Sequence, residues 1–352
     1  MGILQLYEAD QRGVTGNRVC PLPDCTDAIV RRQINGEYSL TGTMPKGARF
    51  ENDVVIGRAI KAQINESGTE QIFIVKRRTR TLTGGMRIYA EHQSYYYNGV
   101  ILRGGGASSS GTPSLSFHQL YTNAHPDIQD LATFTFSLSS NTAKVVPGIS
   151  KPTELRKLFF DWLVSTHGGE LIFDGFNVEW VDAIGADNGA VYRYGANLTE
   201  MEAEDILDDY ASGIFPFWGS ADPQTNVGIV TVSGWTVDFS GTWPIQVIKP
   251  VDLTSKFDTQ PTQAQLLTAA QEWIATNAPS GLPVSIQASR ARLLGDIPVD
   301  LGDTVTVVNT PWGISQKTRI FALTFDALRG RVRDCEFGTV NPGFPGAVKN
   351  MK

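Results

Sequence analysis

Four histidines, three cysteines and one dense run of carboxylates are the side chains best equipped for chemistry in this sequence. His92, His118, His125 and His167 form no H-E-x-x-H or H-x-H pair, the spacings that bring two imidazoles to one metal. A helix would carry His118 and His125 on one face, but Pro126 ends it. His167 precedes Gly168-Gly169, where a helix C-terminus favours a cation, and reads as a cap. A nucleophilic cysteine needs a thiolate beside a histidine, and nothing singles out such a partner for Cys20, Cys25 or Cys335. Cys20 and Cys25 enclose two prolines and read as reduced structural thiols, a disulfide between them being the alternative.

Glu202, Glu204, Asp205, Asp208 and Asp209 form an acidic cluster. Glycoside hydrolysis needs two carboxylates facing each other across a cleft, whereas a run of this kind is ordinarily a solvated face. No EF-hand spacing, G-x-S-x-G elbow or Walker loop occurs. Gly104-Gly105-Gly106 lacks the Lys-Ser or Lys-Thr that would make it a phosphate cradle. No catalytic, cofactor-binding or metal-ligating residue is therefore assigned, and the expectation is a protein that is not an enzyme. Lys76-Arg77-Arg78-Thr79-Arg80 has no interleaved aromatics and reads as a strand-end turn facing solvent or an acidic subunit. Tyr95-Tyr96-Tyr97 suits a carbohydrate platform, but packing or an interface is the favoured role.

These residues need elements to position them. With 352 residues the chain has room for two to four domains. The 35 glycines and 18 prolines suit many short strands joined by tight turns. A formal charge of −6 gives no basic field to grip nucleic acid. No apolar run is long enough to cross a bilayer, and residues 1–10 carry no signal-like stretch, so folding in a cytosol is expected.

Strands are expected over 27–32 and 37–44, hinged on Asn35-Gly36, with both turn positions at positive φ. Further strands are expected over 70–77 and 87–90, turning at Gly84-Gly85. The run 104–113 reads as a flexible loop, and 118–124 as a short helix. A helix from Pro152-Thr153 has Leu155, Leu158, Phe159, Trp162 and Leu163 on one face, and Gly168-Gly169 stop it. A hairpin at Asp174-Gly175 follows, flanked by 170–173 and 176–181. Residues 197–210 have helical composition between extended neighbours. Thr262 and Gln265 make a capping box for a helix with a buried stripe of Leu266, Leu267, Ala270, Trp273 and Ile274. Strands over 284–288, 304–308, 318–325 and 332–337 close the chain.

Six strings, in order, resemble a family of phage tail-tip proteins often called prophage tail endopeptidases or tail-associated lysins, similar to the baseplate hub of contractile-tailed phages. They are Asn35-Gly36-Glu37-Tyr38-Ser39-Leu40 with Met44-Pro45; Gln71-Ile72-Phe73-Ile74-Val75; Ala90-Glu91-His92; Leu171-Ile172-Phe173-Asp174 with Gly175-Phe176; Tyr194-Gly195-Ala196-Asn197-Leu198; and Leu301-Gly302-Asp303-Thr304-Val305. The resemblance implies an α+β, mostly β fold: two small tube-like β-barrel domains plus two α/β modules. The expected division is 1–95 for the first barrel and 96–190 for an α/β domain. Residues 191–217 with 285–342 make the second barrel, 218–284 an inserted α/β domain, and 343–352 a tail. It implies a homotrimeric ring that continues the tail tube at the tip of a virion. The implied partners are a distal tail protein ring and a tail fibre, spike or tape-measure protein. DNA is expected to pass through the lumen without specific binding, and no membrane insertion is expected of the chain. Longer family members carry a C-terminal peptidase or glycosidase; this sequence stops soon after its last expected strand, so that activity is not carried over. The alternatives are a cell-wall hydrolase using Glu202 or Asp205, and a carbohydrate receptor using Tyr95–Tyr97 or Trp235 and Trp243.

Overall fold

The computed structural model describes residues 2–10, 15–80, 82, 84–102, 109–111, 135–138, 144–146, 151–164, 168–205, 213–219, 230–231, 237–238, 247–257, 259–277, 284–290 and 297–338. The chain divides into two compact units, Met1–Glu202 with Ile286–Thr339, and Ala203–Ser285 with Val340–Lys352.

The first unit is built on seven N-terminal strands: β1 (Leu4–Ala9), β2 (Thr15–Leu22), β3 (Asp27–Gln33), β4 (Tyr38–Met44), β5 (Ala59–Gln63), β6 (Glu70–Arg80) and β7 (Met86–His92). They run in the order β3-β4-β7-β6-β5-β1-β2. Their pleat explains the sequence pattern. In β7, Met86, Ile88, Ala90 and His92 are buried, while Arg87, Tyr89 and Glu91 take the other face. Gln71, Phe73 and Val75 of β6 join the same interior. A slip of one residue would turn each set outward, so burial fixes the register.

The C-terminal strands extend this sheet through a strand of 13 residues, Ile314–Asp326. Its first half pairs with Thr304–Asn309, and its second half, Ala322–Asp326, pairs with β3. Arg331–Gly338 lies along its opposite edge. A register shift between Ile320 and Ala322 marks where it changes partner. Asp187–Arg193 adds in parallel to Thr304–Asn309. The fold is mostly β, as expected, and the sheet path is open: among the described residues the strands form no closed barrel.

A second core lies over the hairpin Glu170–Asp174 and Asn177–Val181. Tyr97, Val100, Leu102, Leu155, Phe159, Phe176 and Trp180 fill it. Tyr97 and its neighbours stand on a 3-10 helix, Gln93–Gly99. In the second unit, Gly213–Trp218 pairs with Val230–Thr231, Val237–Asp238 and Ile248–Asp252. The helix Gln263–Asn277 covers Ile214 and Val251 with Leu266 and Ala270.

Several expectations are corrected. The β3–β4 connection is longer than a two-residue turn: Gln33 N–H donates to Glu37 O, enclosing residues 34–36. Only Asn35 has positive φ (52°); a Cβ on Gly36 would lie 2.8 Å from the flexible Gln33 side chain, which would have to shift. Ile34 is buried and its N–H reaches Phe321 O, which draws it into the turn. The second hairpin turns one residue later than expected, at Gly175-Phe176, because Phe176 is buried and Gly175 supplies φ 61° at the first position. The Thr153 helix is one α turn, Leu155–Leu158, continued as a π-helix over Phe159–Val164. Leu155, Leu158 and Phe159 are buried as expected, and the Trp162 and Leu163 side chains lie outside the described residues. Within the run 104–113, Ser109–Gly111 is a strand paired with Lys144–Val146. Leu198–Asp205, where a helical composition meets extended neighbours, is a strand. The Thr262 capping box forms, with Thr262 N–H donating to Gln265 Oε1 at 2.8 Å. Leu267 of its expected stripe is 38% exposed; Ala269 takes the inner position instead. The helix expected over 118–124 lies outside the described residues.

Two glycines meet where the turn before Thr304 crosses the segment before Asp187. A Cβ on Gly185 (φ 85°) would lie 2.2 Å from the Gly302 carbonyl carbon. One on Gly302 (φ 86°) would lie 2.4 Å from Ile184 O. Gly185→Ala is expected to lower unfolding free energy by about 2–4 kcal/mol, read as a fall in the urea midpoint. Gly189→Ala, at φ 74° with open space around it, is expected to lose only about 1 kcal/mol.

Candidate functional site

A cleft of about 380 Å³ opens between the β3–β4 turn and the strand Glu170–Asp174. Tyr38, Ile64, Leu171, Phe173, Ile184 and Leu301 give it apolar walls. Glu37, Asp174, Asp300, Asp303 and Arg32 stand among them. Two side-chain amides close its ends. Asn35 Nδ2 donates to Gly169 O at 3.0 Å, and its Oδ1 accepts from Leu171 N–H at 2.9 Å. At the other end Gln71 Nε2 donates to Asp174 Oδ1 at 2.6 Å, and its Oε1 accepts from Gly175 N–H at 3.0 Å.

Most charge around the cleft is already committed. Arg32 pairs with Asp300, whose other oxygen accepts from Asn65 Nδ2 at 3.1 Å. Asp303 accepts from the backbone N–H groups of Ala186 and Asp300, at 2.9 and 2.8 Å. Glu170, its side chain 8% exposed, receives a two-pronged contact from Arg319 with both N···O distances 2.6 Å. The same guanidinium donates to Gly302 O at 2.9 Å and Ile184 O at 2.5 Å. Ile184 N–H completes the set on Glu170 Oε2 at 2.6 Å. Such planar fork-to-carboxylate geometry is a strong form of charge-assisted hydrogen bond.

His92 lies behind Gln71 and is fully buried. Ser94 N–H donates to its Nδ1 at 3.3 Å, which leaves the proton on Nε2, 3.1 Å from Gln71 Oε1. Tyr38 stacks on the ring at 4.1 Å and Phe73 meets it edge-on. Burial first, and the Arg156 cation second, push its pKa down to about 3, so the ring is neutral at physiological pH. Arg156 is itself buried, with Tyr95 4.0 Å, Phe160 4.9 Å and Phe173 5.2 Å from its guanidinium carbon. Burial lowers its pKa, and Tyr95 and Glu91 oppose that. The aromatic faces supply the cation with quadrupole attraction in place of water.

The residues weighed from sequence fall elsewhere or into packing roles. Cys20, Cys25 and Cys335 are buried free thiols. Burial, aided by Asp24, pushes Cys25 up to about 12, far from a thiolate. Tyr97 is fully buried with its hydroxyl on Phe176 O, and Tyr95 faces Arg156, so the tyrosine run packs the second core. Arg78 and Arg80 of the basic run bind Val54 O and Glu51 within the chain. The side chains of Glu202, Glu204 and Asp205, and all of Asp208, Asp209, His118, His125, His167, Trp235 and Trp243, lie outside the described residues. Among the described residues no group of three metal-binding side chains assembles, and no helix is long and apolar enough to cross a membrane. Five of the six strings in the family resemblance converge on this one region, through Asn35–Tyr38, Gln71, His92, Leu171–Phe176 and Leu301–Asp303.

No protein-family model matches the sequence, and no curated protein matches it. Solved structures do match its fold. A prophage tail protein, gp18, from Listeria monocytogenes is 15% identical with a TM-score of 0.62, covering 97% of this chain and 95% of its own. A tail protein from Neisseria meningitidis is 12% identical with a TM-score of 0.61, over 97% and 98%. The 43 kDa tail protein of prophage MuSo2 from Shewanella oneidensis is 12% identical with a TM-score of 0.60, over the same shares. The chain therefore has the fold of phage tail proteins along almost its whole length.

Two outcomes follow from this geometry. Arg319→Met strands the Glu170 carboxylate and is expected to destabilise the fold by about 3 kcal/mol in chemical denaturation. His92 is neutral in the folded protein down to about pH 3, while the unfolded chain protonates it near 6.5. The unfolded state then binds more protons between those values, so stability falls as pH drops from 6.5 toward 3. From pH 6 to pH 4, His92→Gln is expected to show a slope shallower than the parent by about 1.4 kcal/mol per pH unit, measured by urea titrations.

Proposed function

We propose that this chain is a structural hub protein of a long-tailed phage or prophage, placed at the tail tip or baseplate, and that it works by assembly rather than catalysis. The observation that carries the reading is the fold shared over 97% of the chain with three phage tail proteins. A formal charge of −6 suits the wall of a conduit for DNA, since a strongly basic wall would hold its cargo through the phosphates. A buried, neutral His92 and an Arg319-bound Glu170 suit a scaffold better than an acid–base pair.

In this reading three copies form a ring continuing the tail tube, with a distal tail ring on one side and a fibre, spike or tape-measure protein on the other. The two lobes of the first unit's sheet, β1–β7 and the strands from 304 to 338, supply the tube-like halves. The outer edge of β2, paired only with β1 among the described strands, offers a surface for a neighbouring copy. Edges left unpaired invite pairing with another chain, and contacts around a threefold axis join two different patches. Four modules, divided as the family resemblance implies, give the ring its two barrels and two outer domains.

Light scattering on the purified chain tests this. The expected molar mass is three times 38.4 kDa, reached as concentration rises. A monomer at every concentration, and again with the distal tail ring present, would overturn the trimer.

A further inference from the structure

The cleft has a feature that a closed structural junction does not need. Among the described strands Glu170–Asp174 has one neighbour in its sheet, Asn177–Val181, and its other edge is open to them. Asp174 pairs with Asn177 across the hairpin turn. In an antiparallel ladder, alternate residues face the partner, which assigns Glu170, Ile172 and Asp174 to it and turns Gly169, Leu171 and Phe173 outward. The Asn35 amide verifies this parity, since it bonds Gly169 O and Leu171 N–H as a strand would. Beyond the turn, Gly175 N–H is taken by Gln71.

Between these two amides the Leu171 carbonyl and both backbone groups of Phe173 face the cleft, with no hydrogen-bond partner among the described residues. The space in front of them, about 380 Å³, is within the range that holds a small ligand. The rim carries four carboxylates, Glu37, Asp174, Asp300 and Asp303, against two guanidiniums, Arg31 on Glu37 and Arg32 on Asp300, which leaves a net negative balance.

We propose that this slot receives a short extended segment of a partner polypeptide, which adds as a strand to the free edge at Leu171–Phe173. Backbone hydrogen bonds hold it, the apolar walls accept one side chain, and basic residues flanking the segment meet the acidic rim. This is strand addition, in which main-chain bonds give affinity and a pocket gives selectivity. The amides of Asn35 and Gln71 limit the docked stretch to two or three residues, since a strand rises about 3.3 Å per residue. The inference stands on the cleft alone and holds whether or not the chain forms a trimer.

The test is amide exchange and chemical shift, by NMR, on the isotope-labelled full chain. The probes are acetyl-Lys-Val-Thr-Val-Lys-amide, its counterpart with Glu at both ends, and the basic peptide with methylated backbone nitrogens. The Phe173 amide is expected to exchange rapidly in the free chain and to slow about tenfold at saturating basic peptide. The acidic peptide is expected to bind at least about threefold more weakly, and the methylated one to lose the effect. Glu37→Gln is expected to weaken the basic peptide by about twofold. Protection of Phe173 in the free monomer, or no response to millimolar basic peptide, would overturn the proposal. So would equal binding of the basic and acidic peptides. Protection that grows with protein concentration alone would assign the edge to a second copy and overturn it equally.

Discussion

A carboxylate removed from water must be answered by a partner of matching shape, and in this fold that carboxylate is Glu170. Arg319 answers it, and the arginine's position is what gives the pair its reach. It stands where the strand Ile314–Asp326 is about to leave Thr304–Asn309 and take up β3. From there one guanidinium fixes the start of the Glu170 strand, the Ile184 backbone and the Gly302 backbone together. The close crossing of Gly185 and Gly302 follows, because the two backbones are held nearer than any Cβ permits. The cleft is the space left once these segments are pinned. A buried ion pair of this kind adds little net stability over an apolar substitute, but its directional bonds specify one arrangement.

The two basic side chains behind the cleft are accommodated in two different ways. His92 gives up its charge: burial removes the proton, and Ser94 and Gln71 use the neutral ring as acceptor and donor. Arg156 cannot make that choice, since a guanidinium does not deprotonate in proteins. It is held instead among Tyr95, Phe160 and Phe173, whose ring faces replace hydration. Both residues tie the β7 end of the sheet to the second core, and the Glu91 carboxylate adds its attraction to that of the rings around Arg156.

Much of the fold was legible in the residues. The alternation of β6 and β7 and the capping box at Thr262 and Gln265 each carry a local signal that the structure respects. Where local reading failed, a distant contact had intervened. Ile34 lengthened its turn by reaching Phe321, and Phe176 moved the second turn by joining the core. The π-helix over Phe159–Val164 has no signature that separates it from an α-helical stripe. The cleft was invisible as a site because its members come from five stretches of chain, and Asn35, Gln71, Leu171 and Asp303 have no fixed spacing between them. The one trace was that the strings resembling tail-tip proteins are largely those that meet there. The basic run in β6, which does stand out in sequence, spends Arg78 on Val54 O and Arg80 on Glu51 within the chain.

The long strand Ile314–Asp326 has a mechanical meaning. It is one unbroken backbone flanked by Arg331–Gly338 on one side and by Thr304–Asn309 and then β3 on the other. Tension applied along it loads several ladder bonds in parallel, so they resist as a set, whereas strands pulled apart sideways would unzip one bond at a time. A pull that reaches β3 through this strand therefore meets a stiff tie, and the two register shifts along it, at Phe321 and between Thr324 and Phe325, are the points where the tie can flex.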